Sequence, residues 1–283
     1  MLEFDQPEAL RTWLKERRSA GQRIGFVPTM GYLHEGHLSL IERASAKSDI
    51  VVLSVFVNPL QFGPGEDLER YPRDLPRDRG LAESRGVAAL FVPSAATMYP
   101  PGAEVRVVPG DAASRWEGAV RPGHFTGVLT VVAKLFHLVG PDIAFFGQKD
   151  VQQAVLIRGM VRDLDWPIEI EVAPTVRNRD GLALSSRNVY LDPTAREQAL
   201  GLSRALARAH QRFRDGVRAA ADLRATMDEV LRVYPALAVE YIAIVDSDRM
   251  QPIEQVDATT IVALAARVGA TRLIDNIVLG KGL

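Results

Sequence analysis

The chain has 283 residues, 47% of them hydrophobic, and its 34 Lys and Arg nearly cancel its 35 Asp and Glu. That size suits a globular enzyme of one or two domains, and the balanced charge excludes the global basic field that gathers nucleic acid or anionic lipid. The absence of cysteine excludes disulfides, thiolate catalysis and Cys-ligated metal centres, and it is compatible with a reducing cytoplasm. Residues 1–21 mix acids, bases and a proline without a continuous apolar core, so no signal peptide is expected there, and no apolar run approaches a membrane span.

In chain order, Ala9, Leu10, Trp13 and Leu14 predict an amphipathic helix over Pro7 to Ser19, stopped at Gly21. An apolar strand from Arg23 to Val27 then breaks at Pro28 and Gly31. After a polar turn the chain enters a helix whose Leu40, Ile41 and Ala44 share one face. A strand feeding a helix N-terminus makes a phosphate site, with unpaired N–H groups and the positive end of the dipole, and Gly36 lets a phosphate approach the backbone. His34 and His37 stand at i and i+3, able to face one bound group. The zinc-protease helix needs His-Glu-x-x-His at i and i+4, a spacing that is not met here. A pair of histidines that only caps the helix is the other reading of this segment.

Residues 49–57 form a nearly continuous β-branched run of the kind found in buried parallel strands, ending at Asn58-Pro59. A helix near 75–86 and a short apolar segment at 88–92 follow, and this alternation predicts a parallel α/β sheet with ligands beyond the strand carboxyl ends. Asn58 to Gly63 reads as an Asx-Pro turn or as a loop presenting short polar groups to a cleft. Residues 115–127, punctuated by glycines, read as a mobile loop that could act as a lid. A helix over 128–138, with His137 outward, leads to a strand at 143–146 and then Gly147-Gln148-Lys149-Asp150, where the strand–Gly–helix pattern recurs with a lysine suited to phosphate. The spacing is not that of a Walker loop.

Between a strand at 168–173 and a helix, Ser185, Ser186 and Arg187 place hydroxyl donors beside a guanidinium fork, a good phosphate clamp within what is otherwise a basic surface loop. From Leu191 the pattern changes to two helices, the first opened by Asp192-Pro193, and then strand-like runs at 240–245, 260–268 and 272–278. The expected architecture is α/β, a Rossmann-like parallel sheet over 1–180 with a smaller α+β domain over 181–283.

The string His34-Glu35-Gly36-His37 resembles the HxGH signature of the nucleotidyltransferase superfamily, and PTMGYLHEGH more narrowly resembles the pantoate–β-alanine ligase family. FVNPLQF, FFGQKDVQQ and LSSRN resemble further segments of that family, so the resemblance covers nearly the whole chain, with weak motifs after Leu191. It implies an ATP-dependent ligase that forms an amide bond between pantoate and β-alanine through a pantoyl adenylate. By the same resemblance, Met30, Gly31, Tyr32, Leu33, His34, Glu35, Gly36, His37, Gly147, Gln148, Lys149, Asp150, Val176, Leu184, Ser185, Ser186 and Arg187 bind ATP. Within that set His34, His37, Lys149, Ser186 and Arg187 stabilise charge during catalysis, Asp150 meets the ribose and the Val176 backbone meets adenine. Gln61, Gln153, Asn58 and Arg121 are expected to bind substrate. Residues 69–74 would form part of the site's cover. Leu184 stands where many relatives have Met, a nearly volume-conserving change. Mg2+ would bridge the phosphates, with Asp78 as the candidate ligand, and the resemblance implies a cytoplasmic homodimer joined through the N-terminal domain, with no nucleic-acid or membrane partner. Two alternatives stand beside it. An adenylyltransferase acting on a phosphorylated acceptor would need cations where Gln61, Gln153 and Asn58 are neutral, and an inactive nucleotide-binding module would have lost some of these polar groups.

Overall fold

A computed structural model describes residues 1–283. Its strands are β1 (Leu2–Phe4), β2 (Ile24–Thr29), β3 (Ile50–Val55), β4 (Ala89–Phe91), β5 (Ile143–Gly147), β6 (Glu169–Ala173), β7 (Leu237–Val245), β8 (Ile261–Val268) and β9 (Thr271–Val278). The helices are α1 (Pro7–Ser19), α2 (Glu35–Lys47), α3 (Leu75–Ser84), α4 (Ala95–Met98), α5 (Glu117–Val120), α6 (His124–Val139), α7 (Val151–Asp163), α8 (Pro193–Arg214) and α9 (Ala220–Leu231). No helix is long and apolar enough to cross a membrane. The chain divides into two compact units, the first made of Met1–Gly110, Arg121–Gly147 and Leu156–Ala173, the second of Asp111–Val120, Gln148–Val155 and Pro174–Leu283.

In the first unit six parallel strands lie in the order β1-β4-β3-β2-β5-β6. The chain builds outward from β2 in one direction and then restarts at β5 on its other side, so the strand order reverses between these two neighbours, and the crevice at their carboxyl ends is where ligands bind in such sheets. Both sheet faces are covered, which is why the central strands read as continuous apolar runs. Val27, Leu53 and Phe145 pack with Leu38, Ile41 and Ala44 of α2, while Phe136 of α6 meets Phe26 and Phe146 edge-on at ring separations of 6.4 and 6.2 Å. β2 runs through Pro28 to Thr29, beyond the expected break. At Pro28 the strand has left β5, to which it is paired only at Gly25 and Phe26, and it continues against β3 alone, so the missing N–H interrupts no two-sided ladder.

In the second unit α8 and α9 cover one face of the antiparallel sheet β7-β8-β9, with Leu202, Leu206, Leu223 and Met227 against Val262, Leu264 and Ile277. Gly201 makes this packing possible, because a Cβ there would stand 2.6 Å from atoms of Leu237 and Tyr234. The other face is covered by chain that arrives from far away in sequence. Val151 and Val155 at the start of α7 pack on Ala243, Val245, Ile261 and Ala263, with Trp116 alongside.

The same face fastens residues 111–120, so the first part of the expected mobile loop over 115–127 is held in place, and its last part, 124–127, is the start of α6. Glu117 forms a two-pronged ion pair with Arg272 at 2.6 and 2.7 Å, and Arg272 is shared with Glu240. Trp116 Nε1 donates to the Met250 carbonyl at 3.0 Å. Gln152, 5% exposed, accepts from Glu117 N and donates to the carbonyls of Ala112 and Arg115. These buried, satisfied polar groups tie the segment to the rest of the second unit.

Candidate active site

The loop that leaves β2 turns through two left-handed residues, Gly31 at φ 83° and Tyr32 at φ 53°. Gly31 is required there twice over, since a Cβ would lie 2.8 Å from Val55 Cγ1 and 3.0 Å from Asp78 Oδ2. Non-glycine residues pay to hold a positive φ, and the carboxylate of Asp78 offsets that cost by accepting from Tyr32 N and Leu33 N, each at 2.7 Å. Asp78 is 1% exposed. From the same turn of α3, Arg77 donates to the Leu33 carbonyl at 2.8 Å and sits over the Tyr32 ring. The expected use of Asp78 as a magnesium ligand gives way here to a different task, because both carboxylate oxygens already accept backbone N–H groups that fix the loop.

His34 is the N-cap of α2, and its Nδ1 accepts from Gly36 N at 3.1 Å. His37 Nδ1 accepts in return from His34 N at 3.3 Å, so the pair forms a reciprocal capping box with rings 4.1 Å apart. A backbone N–H can only donate, so Nδ1 of each neutral ring is an acceptor and the ring proton lies on Nε2. Capping and ligand binding were alternatives in the sequence; in the structure the cap itself fixes two imidazoles as Nε2–H donors at the positive end of α2. Met30, Gly31, Tyr32, Leu33, Glu35 and Gly36 are the backbone of this one turn.

Beyond β3, Asn58 caps a short 3-10 turn at Pro59–Gln61, and Asn58 and Gln61 are both buried. Asn58 Nδ2 donates to Gln61 Oε1 at 3.0 Å, and Gln61 Nε2 reaches Met30 Sδ at 3.2 Å, so the two glutamine- and methionine-bearing loops meet. Arg121 was expected to bind substrate. Its fork instead grips Glu66 at 2.7 and 2.6 Å and reaches the Gln61 carbonyl at 3.3 Å, which His124 Nδ1 also meets at 2.9 Å. Burial pushes the Glu66 carboxyl up, but the Arg121 hydrogen bonds and charge outweigh it and hold the group below the usual carboxylate range. The arginine thus braces the backbone that carries Gln61.

In the second unit the turn Gln148–Asp150 is bolted to β9. Asn276, 1% exposed, donates through Nδ2 to the carbonyls of Gln148 and Lys149, both at 2.9 Å, and accepts from Gln148 Nε2. Next to it Arg177 pairs with Asp275 at 2.6 and 2.8 Å. Burial pushes the Asp275 carboxyl up, more than its bonds to Arg177 pull it down. Lys149 Nζ lies 3.7 Å from Asp150 Oδ1, and Gln153 follows on the first turn of α7, immediately after the structural Gln152. Val176 and Leu184 face each other across a tight hairpin, the Val176 carbonyl accepting from Leu184 N at 2.9 Å. Ser185 then caps the 3-10 turn Ser186–Tyr190 by accepting from Arg187 N, and Ser186 is buried. None of Asp78's loop contacts, the Glu66–Arg121 brace or the Arg177–Asp275–Asn276 bolt has a motif in the sequence.

The sequence pattern of the family described as Pantoate-beta-alanine ligase matches residues 3–278. The chain belongs to that family. A pantothenate synthetase of Pelotomaculum thermopropionicum is 50% identical over 99% of this chain and 100% of its own length. Among solved structures, the pantothenate synthetase of Thermus thermophilus is similar with a TM-score of 0.94 and 49% identity, covering 99% of both chains. The pantoate-beta-alanine ligase of Francisella tularensis, complexed with beta-gamma ATP and beta-alanine, is similar with a TM-score of 0.78 and 34% identity, covering 100% of this chain and 99% of that one. As a member of the pantoate-beta-alanine ligase family, the chain therefore matches its relatives end to end, including the C-terminal stretch in which the sequence offered only weak motifs.

Proposed function

We propose that this enzyme joins pantoate to β-alanine in two steps at the expense of ATP. The pantoate carboxylate attacks the α-phosphorus, forming pantoyl adenylate and expelling pyrophosphate. The β-alanine amine then attacks the acyl carbon, an amide C–N bond forms as the acyl C–O bond breaks, and AMP leaves carrying the former carboxylate oxygen. The observation that carries the reading is the reciprocal cap of His34 and His37, which turns Nε2 of both rings away from the cap at a helix start of the kind that suits a phosphate.

Each remaining group has a role suited to its chemistry. Lys149 and Arg187 supply positive charge and Ser186 a hydroxyl donor to the phosphates, Asp150 accepts from the ribose, and Val176 offers backbone to adenine. Gln61 and Gln153 hold the hydroxy acid with neutral groups, which leaves its carboxylate nucleophilic, and the buried Asn58, expected from the sequence to touch substrate, supports Gln61 from beneath. No cluster of three or more acidic or histidine side chains forms a protein metal cage. Mg2+, when bound with the nucleotide, would supply charge neutralisation at the phosphates beside Lys149 and Arg187. A homodimer through the N-terminal domain and a cytoplasmic location complete the reading, supported by the family resemblance, the sheet edge at β6 and the cysteine-free chain.

Exchange of labelled pyrophosphate into ATP tests the first step. It is expected to require pantoate and Mg2+ but not β-alanine. Exchange supported by a phosphorylated acceptor and not by pantoate would instead favour the adenylyltransferase reading.

A further inference from the structure

Tyr99, which follows α4, carries a hydroxyl that donates to Asn58 Oδ1 at 2.8 Å. The same oxygen accepts from Leu60 N at 3.3 Å, while Asn58 Nδ2 donates to the Gly127 carbonyl at 3.1 Å and to Gln61 Oε1 at 3.0 Å. The carbonyl of Gly127 on one side and two donors on the other, of which the Tyr99 hydroxyl is the nearer, together give the Asn58 amide its orientation. That orientation propagates. Gln61 Oε1 is committed to Asn58, so the group Gln61 has left for a ligand is its amino group, which here contacts only the weak acceptor Met30 Sδ.

The surroundings hold this chain of amides in register. Gly127 lies within α6, where a Cβ would stand 2.1 Å from the Leu60 carbonyl, and only glycine lets the helix backbone come close enough to receive Asn58. The Tyr99 ring packs beside Phe56 and under the Lys134 ammonium, which itself donates to the Met98 carbonyl. Burial raises the phenol's pKa, so the hydroxyl keeps the proton it donates throughout the neutral range.

We propose that Tyr99 is a positioning residue: acting through Asn58, its hydroxyl helps hold Gln61 with the amino group as the substrate-facing donor, a polarity that suits a hydroxy acid, whose carboxylate only accepts hydrogen bonds and whose hydroxyl can accept them. The inference rests on the reading of Gln61 as part of the pantoate site. A buried polar group set to donate discriminates strongly against a ligand, or a variant side chain, that offers another donor or acceptor in the wrong place.

Pantoate-dependent pyrophosphate exchange, with melting temperature and the KM for ATP measured alongside, tests it. Tyr99→Phe keeps the ring contacts and removes one neutral hydrogen bond, so the KM for pantoate should rise about three- to tenfold while kcat and the KM for ATP stay within about twofold. Gln61→Glu keeps the acceptor for Asn58 but replaces the donor with a carboxylate oxygen, and it should raise the KM for pantoate by about 10² with ATP binding retained. A pantoate KM within about twofold of the parent in Tyr99→Phe, or a parallel loss of kcat, ATP affinity and melting temperature, would overturn the proposal. Near-normal pantoate affinity in Gln61→Glu would overturn it too. A parent enzyme showing no pantoate-dependent exchange at all would instead remove the reading beneath it, and that result is visible before any variant is made.

Discussion

Replacing His37 with alanine is expected to slow formation of the acyl adenylate by about 10²–10³, the cost of removing one preorganised donor from a developing charge. The side chain stands at the third position of α2, and its Nδ1 is tied to His34 N at 3.3 Å, which leaves Nε2–H as the donor. Charge on the α-phosphoryl oxygens is redistributed as the carboxylate attacks, so a donor fixed there matters more in the transition state than in bound ATP. The second step attacks carbon and makes a different demand. Supplied with preformed pantoyl adenylate and β-alanine, His37→Ala should therefore keep far more of its activity than it does from ATP. Loss of the cap contributes as well, by about 0.5–2 kcal/mol of helix stability. His37→Asn separates the two effects, because its short amide can restore the acceptor for His34 N without reaching where Nε2 lay. Single-turnover rates for both steps decide the matter, and equal losses in the two would reduce His37 to a loop fastener.

Asp78→Ala should be nearly as damaging, although nothing in the proposed chemistry passes through that carboxylate. Its two oxygens are the acceptors for Tyr32 N and Leu33 N, in a loop held at positive φ by Gly31 and Tyr32. With Asp78 gone, a buried and a part-buried N–H group lose their acceptors, at a cost of about 2–4 kcal/mol. The strained turn relaxes, and His34 is the next residue along the chain. Misplacement of a reacting group by about 1 Å costs about 10² in rate, so adenylate formation should fall by that order while the folded fraction at low temperature stays high. Asp78→Asn retains one acceptor but turns an amino group toward the other N–H, and should fall between the parent and Asp78→Ala. Denaturant unfolding together with adenylation rates checks this. A variant that loses stability yet adenylates within about threefold of the parent would show that the loop needs no such anchor.

These two residues also mark where the sequence was readable. The strand, glycine turn and helix around His34 and His37 are local, with periodicity and breakers inside fifteen residues, and the expected α/β sheet followed from the same local signals. Asp78 was visible only as an acid at a helix start, since its partners lie 45 and 46 residues earlier. Asn276 was wholly hidden. Its hold on the Lys149 turn joins residues 127 and 128 positions apart, in a C-terminal stretch with no motif of its own. β1 has three residues, too few to show alternation, and is a strand only because β4 pairs with it. Gly127 misled for a different reason. It resembles a loop glycine in the sequence, but it sits inside α6 because the Leu60 carbonyl comes too close for any side chain. The fate of residues 111–120 was likewise set by distant partners, Arg272 and Met250, which no window along the chain contains.

The path of one oxygen atom tests the two-step account most directly. If the pantoate carboxylate attacks phosphorus and the β-alanine amine later expels AMP, then pantoate carrying 18O in its carboxylate must deliver one labelled oxygen to AMP and keep the other in the amide product. Mass spectrometry of both products after turnover with unlabelled ATP and β-alanine is expected to show that division, with no label in pyrophosphate. Label appearing in pyrophosphate or inorganic phosphate, with AMP unlabelled, would mean attack at a different phosphorus and would contradict the adenylate on which every proposed residue role depends.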